Sequence, residues 1–249
     1  MNARPLSTKS NPARGADPRA RTPTRDTDRR VGTPVRDNDP RVRTPARDGD
    51  SRARILDAAL HAFRAQGYTA TTVDDLCRAA GVTKGAFFHH FESKEAAALA
   101  TIEHWNESTG ALFAGAPYWG IDDPRERLLA YLDFRAALVE GELPEFTCLL
   151  GTLVQETFAR HPALQSACGT GIETHERTLV PTIEAARRRY APDADWSADG
   201  LARHIQVVLQ GAFVLAKAMD DSQVVLEALG HLRRYVEFLL PRPARRRRS

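Results

Sequence analysis

After residue 50, apolar side chains recur at steps of three and four, the spacing that gathers them on one face of a helix. Ile55, Leu56, Ala59, Leu60 and Phe63 make the first such face, which Asp50 or Ser51 can cap and Gly67 stops. Thr72 opens a second, short helix with Asp75 at capping-box spacing. Val73, Leu76, Ala79 and Ala80 form its inner side, and Gly81 ends it. Thr83 starts a third helix through Lys84, Gly85, Ala86, Phe87, Phe88 and His89, and Ser93 caps a fourth at Lys94-Glu95. Two short helices joined by a brief Gly-containing turn, here about residues 72–91, have the layout of a helix-turn-helix, whose second helix is the one that enters a DNA major groove.

Beyond residue 100 the helical spacing continues and no period-two run interrupts it. The expected fold class is therefore all-α, with a helix-turn-helix head over residues 51–98 and a helical body over 99–240. Pro124 after Asp123 marks a helix start, with room to run to Glu140 before Gly141. Pro144 precedes a helix from Glu145 to Arg160, and Pro162 opens a segment reaching Tyr190, with Gly169, Gly171 and Pro181 as places for a bend. Ser197 caps a helix through Ile205, Val208, Leu209, Phe213 and Leu215; Asp220 or Asp221 begins the last, through Leu226, Leu229, Leu232, Tyr235 and Phe238. These last two helices are apolar on more than one side, which a hairpin cannot bury by itself. Pairing with the same hairpin of a second chain is the economical outcome, and such a homodimer expects a palindromic operator.

Composition changes the picture at both ends. Residues 1–50 hold almost no large apolar side chains and repeat Thr-Pro followed by Arg-Asp at Thr22, Thr33 and Thr44, a period of about eleven residues. A proline in every unit excludes a coiled coil and points to a disordered Arg/Pro-rich arm. The net charge of +3 is unevenly spread. The arm carries an excess of roughly five positive charges and a basic, disordered tail over 241–249 about five more, which leaves the middle acidic by about seven. DNA repels such a body as a whole, so contact must come through a local basic surface. With no apolar run of about 18 residues and no secretory signal, the expectation is a cytoplasmic chain without a membrane partner. Cys77, Cys148 and Cys168 are too few and too irregularly spaced for a disulfide framework or a zinc module.

The run Arg54-Ile55-Leu56-Asp57-Ala58-Ala59, then Phe63, Gly67-Tyr68, Thr71-Thr72-Val73, Ala79 to Gly85, His89, Phe91 and Ser93-Lys94-Glu95 resembles the N-terminal domain of the tetracycline-repressor-type (TetR) regulators. The resemblance covers about 50 residues in one register. It implies a three-helix DNA-binding head, a variable helical body with an effector pocket, and dimerisation through the last two helices. On that basis the expected DNA-contacting residues are Thr72, Thr83, Lys84, Gly85, Ala86, Phe88, His89, His90 and Lys94. Thr72 and Thr83 offer hydroxyls and cap their helices, Gly85 and Ala86 allow close approach to the groove, and His89, His90 and Lys94 would meet phosphates. Members of the family often carry a tyrosine where Phe88 and His90 stand, so the phosphate bond at Phe88 is lost. Phe87 and Phe91 are expected in the core. His89-His90 do not suggest a metal, because adjacent helical residues point about 100° apart and no third ligand follows.

The body is less explicit. Its aromatics, among them Trp105, Phe113, Tyr118, Trp119, Phe134, Phe146 and Phe158, can line a pocket or simply fill a core. The effector-pocket candidates are Trp105, Phe134, Cys148 and His175. Phe146 to Gly151 with Gln155-Glu156 looks like a segment of family members that sense electrophiles or oxidants through a cysteine, although no basic residue lies within a helical turn of Cys148. His175 can face a pocket or the solvent. No phosphate loop, dinucleotide glycine pattern or His-Glu-x-x-His occurs, so neither an enzyme nor a cofactor is expected. The reading is a repressor released from its operator by a small-molecule effector; the alternative is a non-specific or architectural DNA binder driven by the basic tails.

Overall fold

The computed structural model describes residues 45–242, with side chains from Asp50 onward; the rest of the basic arm and of the basic tail expected from the sequence lies outside the described residues. Ten α-helices and one short 3-10 turn account for the order in this range, and no strand occurs among the described residues. The first helix, α1 (Pro45–Ala70), begins ahead of the Asp50 or Ser51 start expected from the sequence. It breaks at Gly67, whose φ of 85° and ψ of 174° belong to a region that only glycine occupies readily.

The helix-turn-helix comprises α2 (Val73–Ala80) and α3 (Lys84–His90). Thr72 and Asp75 form a reciprocal capping box at the start of α2. At its other end Gly81 is left-handed (φ 62°), its N–H bonds Arg78 O, and the Val82 N–H returns to Cys77 O at 2.9 Å. These paired bonds close the last carbonyls and set the angle of the turn. Leu76, Cys77 and Ala80 are buried, while Ala79, expected on the inner side, is exposed; the inner stripe passes through Cys77 instead.

A long α4 (Lys94–Ala114) runs from head into body, through the boundary read at residue 98. A 3-10 turn at Pro117–Gly120 leads to α5 (Pro124–Ala137), whose N-terminal amides bond the Asp123 carboxylate. The helix read to Glu140 stops earlier, capped at Leu138, because a left-handed Gly141 and the Glu142–Glu145 capping box start a new short helix, α6 (Leu143–Phe146). The helix expected over Glu145 to Arg160 is therefore two, α6 and α7 (Leu149–Thr157). Thr147 and Cys148 are extended, and the Thr147 hydroxyl bonds back to Leu143 O at 2.7 Å. α8 (Pro162–Tyr190) is one helix through Gly169, Gly171 and Pro181. α9 (Ala198–Met219) and α10 (Gln223–Leu239) are the last helices of the described residues.

Two apolar clusters hold these helices. One joins the head to α7 and the start of α8: Ile55, Phe63, Leu76, Phe87 and Phe91 pack with Leu149, Leu153, Leu164 and Cys168. The other joins α5, the end of α8, α9 and α10 through Leu128, Tyr131, Ile183, Ile205, Leu229 and Val236. No helix of the described residues is long and apolar enough to cross a membrane.

Candidate nucleic-acid interface and interior cavity

The seven residues of α3 divide cleanly. Phe87 is fully buried against α1, and Phe91 just beyond is nearly so, while Phe88, on the other side, is half exposed. The two Phe rings of the inner side lie 5.7 Å apart, which fixes the helix about its own axis. Thr83, Lys84, Gly85, Phe88 and His89 are consequently exposed together, with Ala86 half-buried beside them. Thr83 Oγ1 accepts the Ala86 N–H at 3.1 Å and Thr72 Oγ1 the Asp75 N–H at 3.1 Å, so each exposed hydroxyl caps its helix. The bonds from Thr72 hold the Asp75 carboxyl down to about 2, helped by Arg78.

The cations around α3 are all engaged, some more firmly than others. Lys84 Nζ lies 2.7 Å from Asp74 on α2, an exposed pair that salt or a phosphate can exchange; the same carboxylate raises the lysine above its ordinary value. His90 Nε2 is 2.7 Å from Ser51 Oγ on α1, and the His89 and His90 rings stand edge to face. Lys94 is placed otherwise than the sequence suggested. Its ammonium donates to Tyr68 O and Thr71 O, both at 2.9 Å, and sits 4.2 Å from the centre of the Tyr68 ring. Burial lowers its affinity for the proton. Lys94 thus closes carbonyls in the last turn of α1 and just beyond it, and a phosphate contact would require it to leave them. Arg54, which the sequence offered only as part of a motif, donates to Ala80 O at 3.0 Å and Gly81 O at 3.4 Å, the open carbonyl end of α2.

In the body, α4, α5, α6, α8 and α9 surround a cavity of about 220 Å³. Three of the four expected pocket residues, Trp105, Cys148 and His175, line it together. Phe134 does not; it packs beside Phe113 (5.7 Å) and Tyr118 (5.8 Å) behind the wall. Phe158, which could have joined the aromatics, is two-thirds exposed. His175 faces inward, with Nε2 3.0 Å from the Tyr131 hydroxyl and its ring 4.6 Å from that of Phe113. Burial, and then the Arg135 charge, push it down to about 4, so it is neutral near pH 7. A second cavity of about 300 Å³ adjoins on the far side of Phe113 and His175. Cys148 has basic neighbours that its own helix could not reveal: Arg64 of α1 and Lys217 of α9 both lie within electrostatic range. Arg135 and Gln206 of the cavity wall, and Arg64 near Cys148, were not foreseen, since each is brought there by tertiary packing.

Head and body meet through polar bonds as well as the shared cluster. Glu156 of α7 accepts the backbone N–H groups of Tyr68 and Thr69 at 3.2 and 2.8 Å, and His161 Nδ1 lies 3.0 Å from Glu95 at the start of α4.

The family description "Bacterial regulatory proteins, tetR family" matches residues 55–101, and "Tetracyclin repressor-like, C-terminal domain" matches 124–232. Among curated proteins, the transcriptional regulator AcuR of Cereibacter sphaeroides is 28% identical over 163 residues, 66% of this chain and 74% of AcuR. The transcriptional repressor KstR2 of Rhodococcus jostii is 26% identical over 182 residues, 63% of this chain and 88% of that one. Among solved structures, a TetR transcriptional regulator from Chloroflexus aurantiacus superposes with a TM-score of 0.67 at 27% identity, covering 77% of this chain and 96% of its own.

Proposed function

Since the chain belongs to the TetR family of DNA-binding transcription regulators, we propose that it is a homodimeric repressor that leaves a palindromic operator when a small molecule fills the body cavity. The observation that carries the first half is the two-sided α3, with Phe87 and Phe91 locked into the head and Thr83, Lys84, Gly85, Ala86, Phe88 and His89 turned outward. That face, with Thr72 and His90 at its margins, is the proposed DNA surface. Lys84 gives up Asp74 for phosphate, and the starts of α2 and α3 present amides to the backbone.

Dimerisation is supported by a stripe on the outer faces of the last two helices. Val207, Val214, Leu215 and Met219 on α9 and Tyr235 and Phe238 on α10 are all substantially exposed, and the His204 and Tyr235 rings meet at 5.2 Å between the two helices. A patch of this kind is costly to leave in water and complementary to its own copy about a two-fold axis. Repression rather than activation draws on the name of KstR2. The setting that suits this function is the cytoplasm.

The test is binding selection from random duplexes at fixed salt, followed by footprinting of the winner. An enriched inverted repeat with protection of both halves is the expected result. Equal retention of all sequences would leave only phosphate-driven binding by the basic ends and would remove the repressor reading.

A further inference from the structure

The walls of the 220 Å³ cavity hold donor groups that the protein itself does not satisfy. Gln206 of α9 is only 6% exposed, lines the cavity, and its Nε2 has no hydrogen-bond partner, the one buried side-chain atom in that position among the described residues. Buried donors are nearly always paired in folded proteins, so an unpaired one at a cavity wall marks a place for an acceptor from outside. The Tyr131 oxygen is the nearest acceptor to the Gln206 amide and draws on it weakly, but it is already paired with His175 at 3.0 Å and makes no hydrogen bond of full geometry with Gln206.

Arg135 of α5 lines the same space. Its guanidinium lies 5.2 Å from the centre of the Phe113 ring, and no carboxylate among the described residues forms an ion pair with it. The acid that does reach the cavity, Glu145, turns Oε2 away to the Glu142 N–H at 2.7 Å. Most of the remaining wall is apolar, with Leu138, Val139, Leu209 and Phe213 prominent. A planar guanidinium and a spare amide N–H on the walls of one largely apolar chamber form an arrangement that can receive a carboxylate. One cation suits a monoanion; a phosphate dianion would be left half neutralised in a low-dielectric site. The volume exceeds the ~150 Å³ that admits a benzene ring and falls below the roughly 300–1,000 Å³ of drug-sized pockets.

Resting on the reading that this cavity receives the effector, we propose that its ligand is a small organic carboxylate, the anionic group held by Arg135 and Gln206 and the apolar part lying along Leu209 and Phe213.

Trp105 lines the cavity, so its fluorescence reports occupancy. The full chain is titrated with benzoate and hexanoate and, in parallel, with benzamide and hexanamide. At least one acid is expected to saturate with submillimolar Kd, about tenfold tighter than its amide. Arg135→Gln should erase that preference, Arg135→Lys should keep most of it, and Gln206→Leu should weaken the acid several-fold, with helical circular dichroism unchanged in each. Amides binding as well as acids, acids giving no saturable change up to about 10 mM, or a preference that survives Arg135→Gln overturns the proposal. Operator release is read separately. An acid that binds through Arg135 but leaves DNA bound supports this ligand chemistry and removes the effector reading. A neutral compound that releases the operator keeps the effector reading and overturns the carboxylate.

Discussion

The Arg64 guanidinium donates to the Glu145 carbonyl oxygen at 2.9 Å, tying the first helix of the head to the short helix that lines the cavity. The same cation lies 5.1 Å over the Trp105 ring, and Lys217 of α9 donates to the Arg64 carbonyl at 2.9 Å. A ligand that displaces α6 or Trp105 therefore acts on α1 directly. Arg64→Leu is expected to leave ligand-free operator affinity within about threefold and to lower folding stability by roughly 1 kcal/mol, since it removes the charged donor to the half-buried Glu145 carbonyl. It should also raise about tenfold the ligand concentration needed for release. A release curve superimposable on wild type in a fluorescence-anisotropy titration would show that coupling runs elsewhere.

Lys84→Ala removes the exposed cation at the start of α3. Operator affinity should fall at least about tenfold and the salt slope should flatten by about two, one per subunit of the dimer, while the melting temperature stays put because an exposed pair contributes little to folding. Equal affinity in a mobility-shift titration at one salt concentration contradicts the proposed surface.

Gly67→Ala tests the joint between α1 and α7. At φ 85° and ψ 174° a side chain is strained, and its Cβ would fall 1.8 Å from Glu156 Oε1, displacing the carboxylate that holds the Tyr68 and Thr69 amides. A loss of about 2–4 kcal/mol in urea unfolding is expected. A variant as stable as the parent would mean that this joint is not held as described.

His175 makes stability depend on pH. A free histidine protonates near 6.5, whereas burial, assisted by Arg135, holds this one to about 4. Between those values the unfolded chain binds a proton that the folded chain does not. Stability should thus be complete above pH 6.5 and decline on acidification toward pH 4, by at most ~3 kcal/mol from this group. His175→Gln should flatten the profile over that window; an identical slope in the variant would assign the acid sensitivity to other groups.

Phe238→Glu places a charge at the C-terminal end of the outer stripe on α10, where Phe238 is 79% exposed. Sedimentation should show the parent as a dimer and the variant as a monomer at micromolar concentration, with operator affinity lost alongside. A variant that stays dimeric would move the interface off this face.

Much of the head could be read from its residues because local chemistry decides it. Thr72 with Asp75, Thr83, Ser93 and Gly81 are caps, and each acts within its own turn of chain. The all-helical class and the places of α8, α9 and α10 followed from spacing and from Pro162 and Ser197. The cavity was only partly legible. Trp105, Cys148 and His175 stood out by residue type, but Arg135 and Gln206 look like ordinary polar positions until α5 and α9 are packed. The partners of Lys94 were hidden for the same reason: a lysine at a helix start reads as a phosphate contact, and only the approach of Tyr68 and Thr71 supplies the two carbonyls it binds here. The break at Thr147 and Cys148 carries no glycine or proline, so nothing local announced it.

The uninterrupted course of α8 gives the molecule a beam. Its first turns, at Leu164 and Cys168, are seated in the cluster shared with the head, and its last, at Leu179, Ile183 and Ala186, in the cluster of the terminal hairpin. At 29 residues it spans roughly 43 Å, so pivoting by about 5° at one seat sweeps the other through on the order of 4 Å. An adjustment no larger than a side-chain rotation beside His175, midway along this beam, is geometrically enough to change the spacing of the two heads in the proposed dimer.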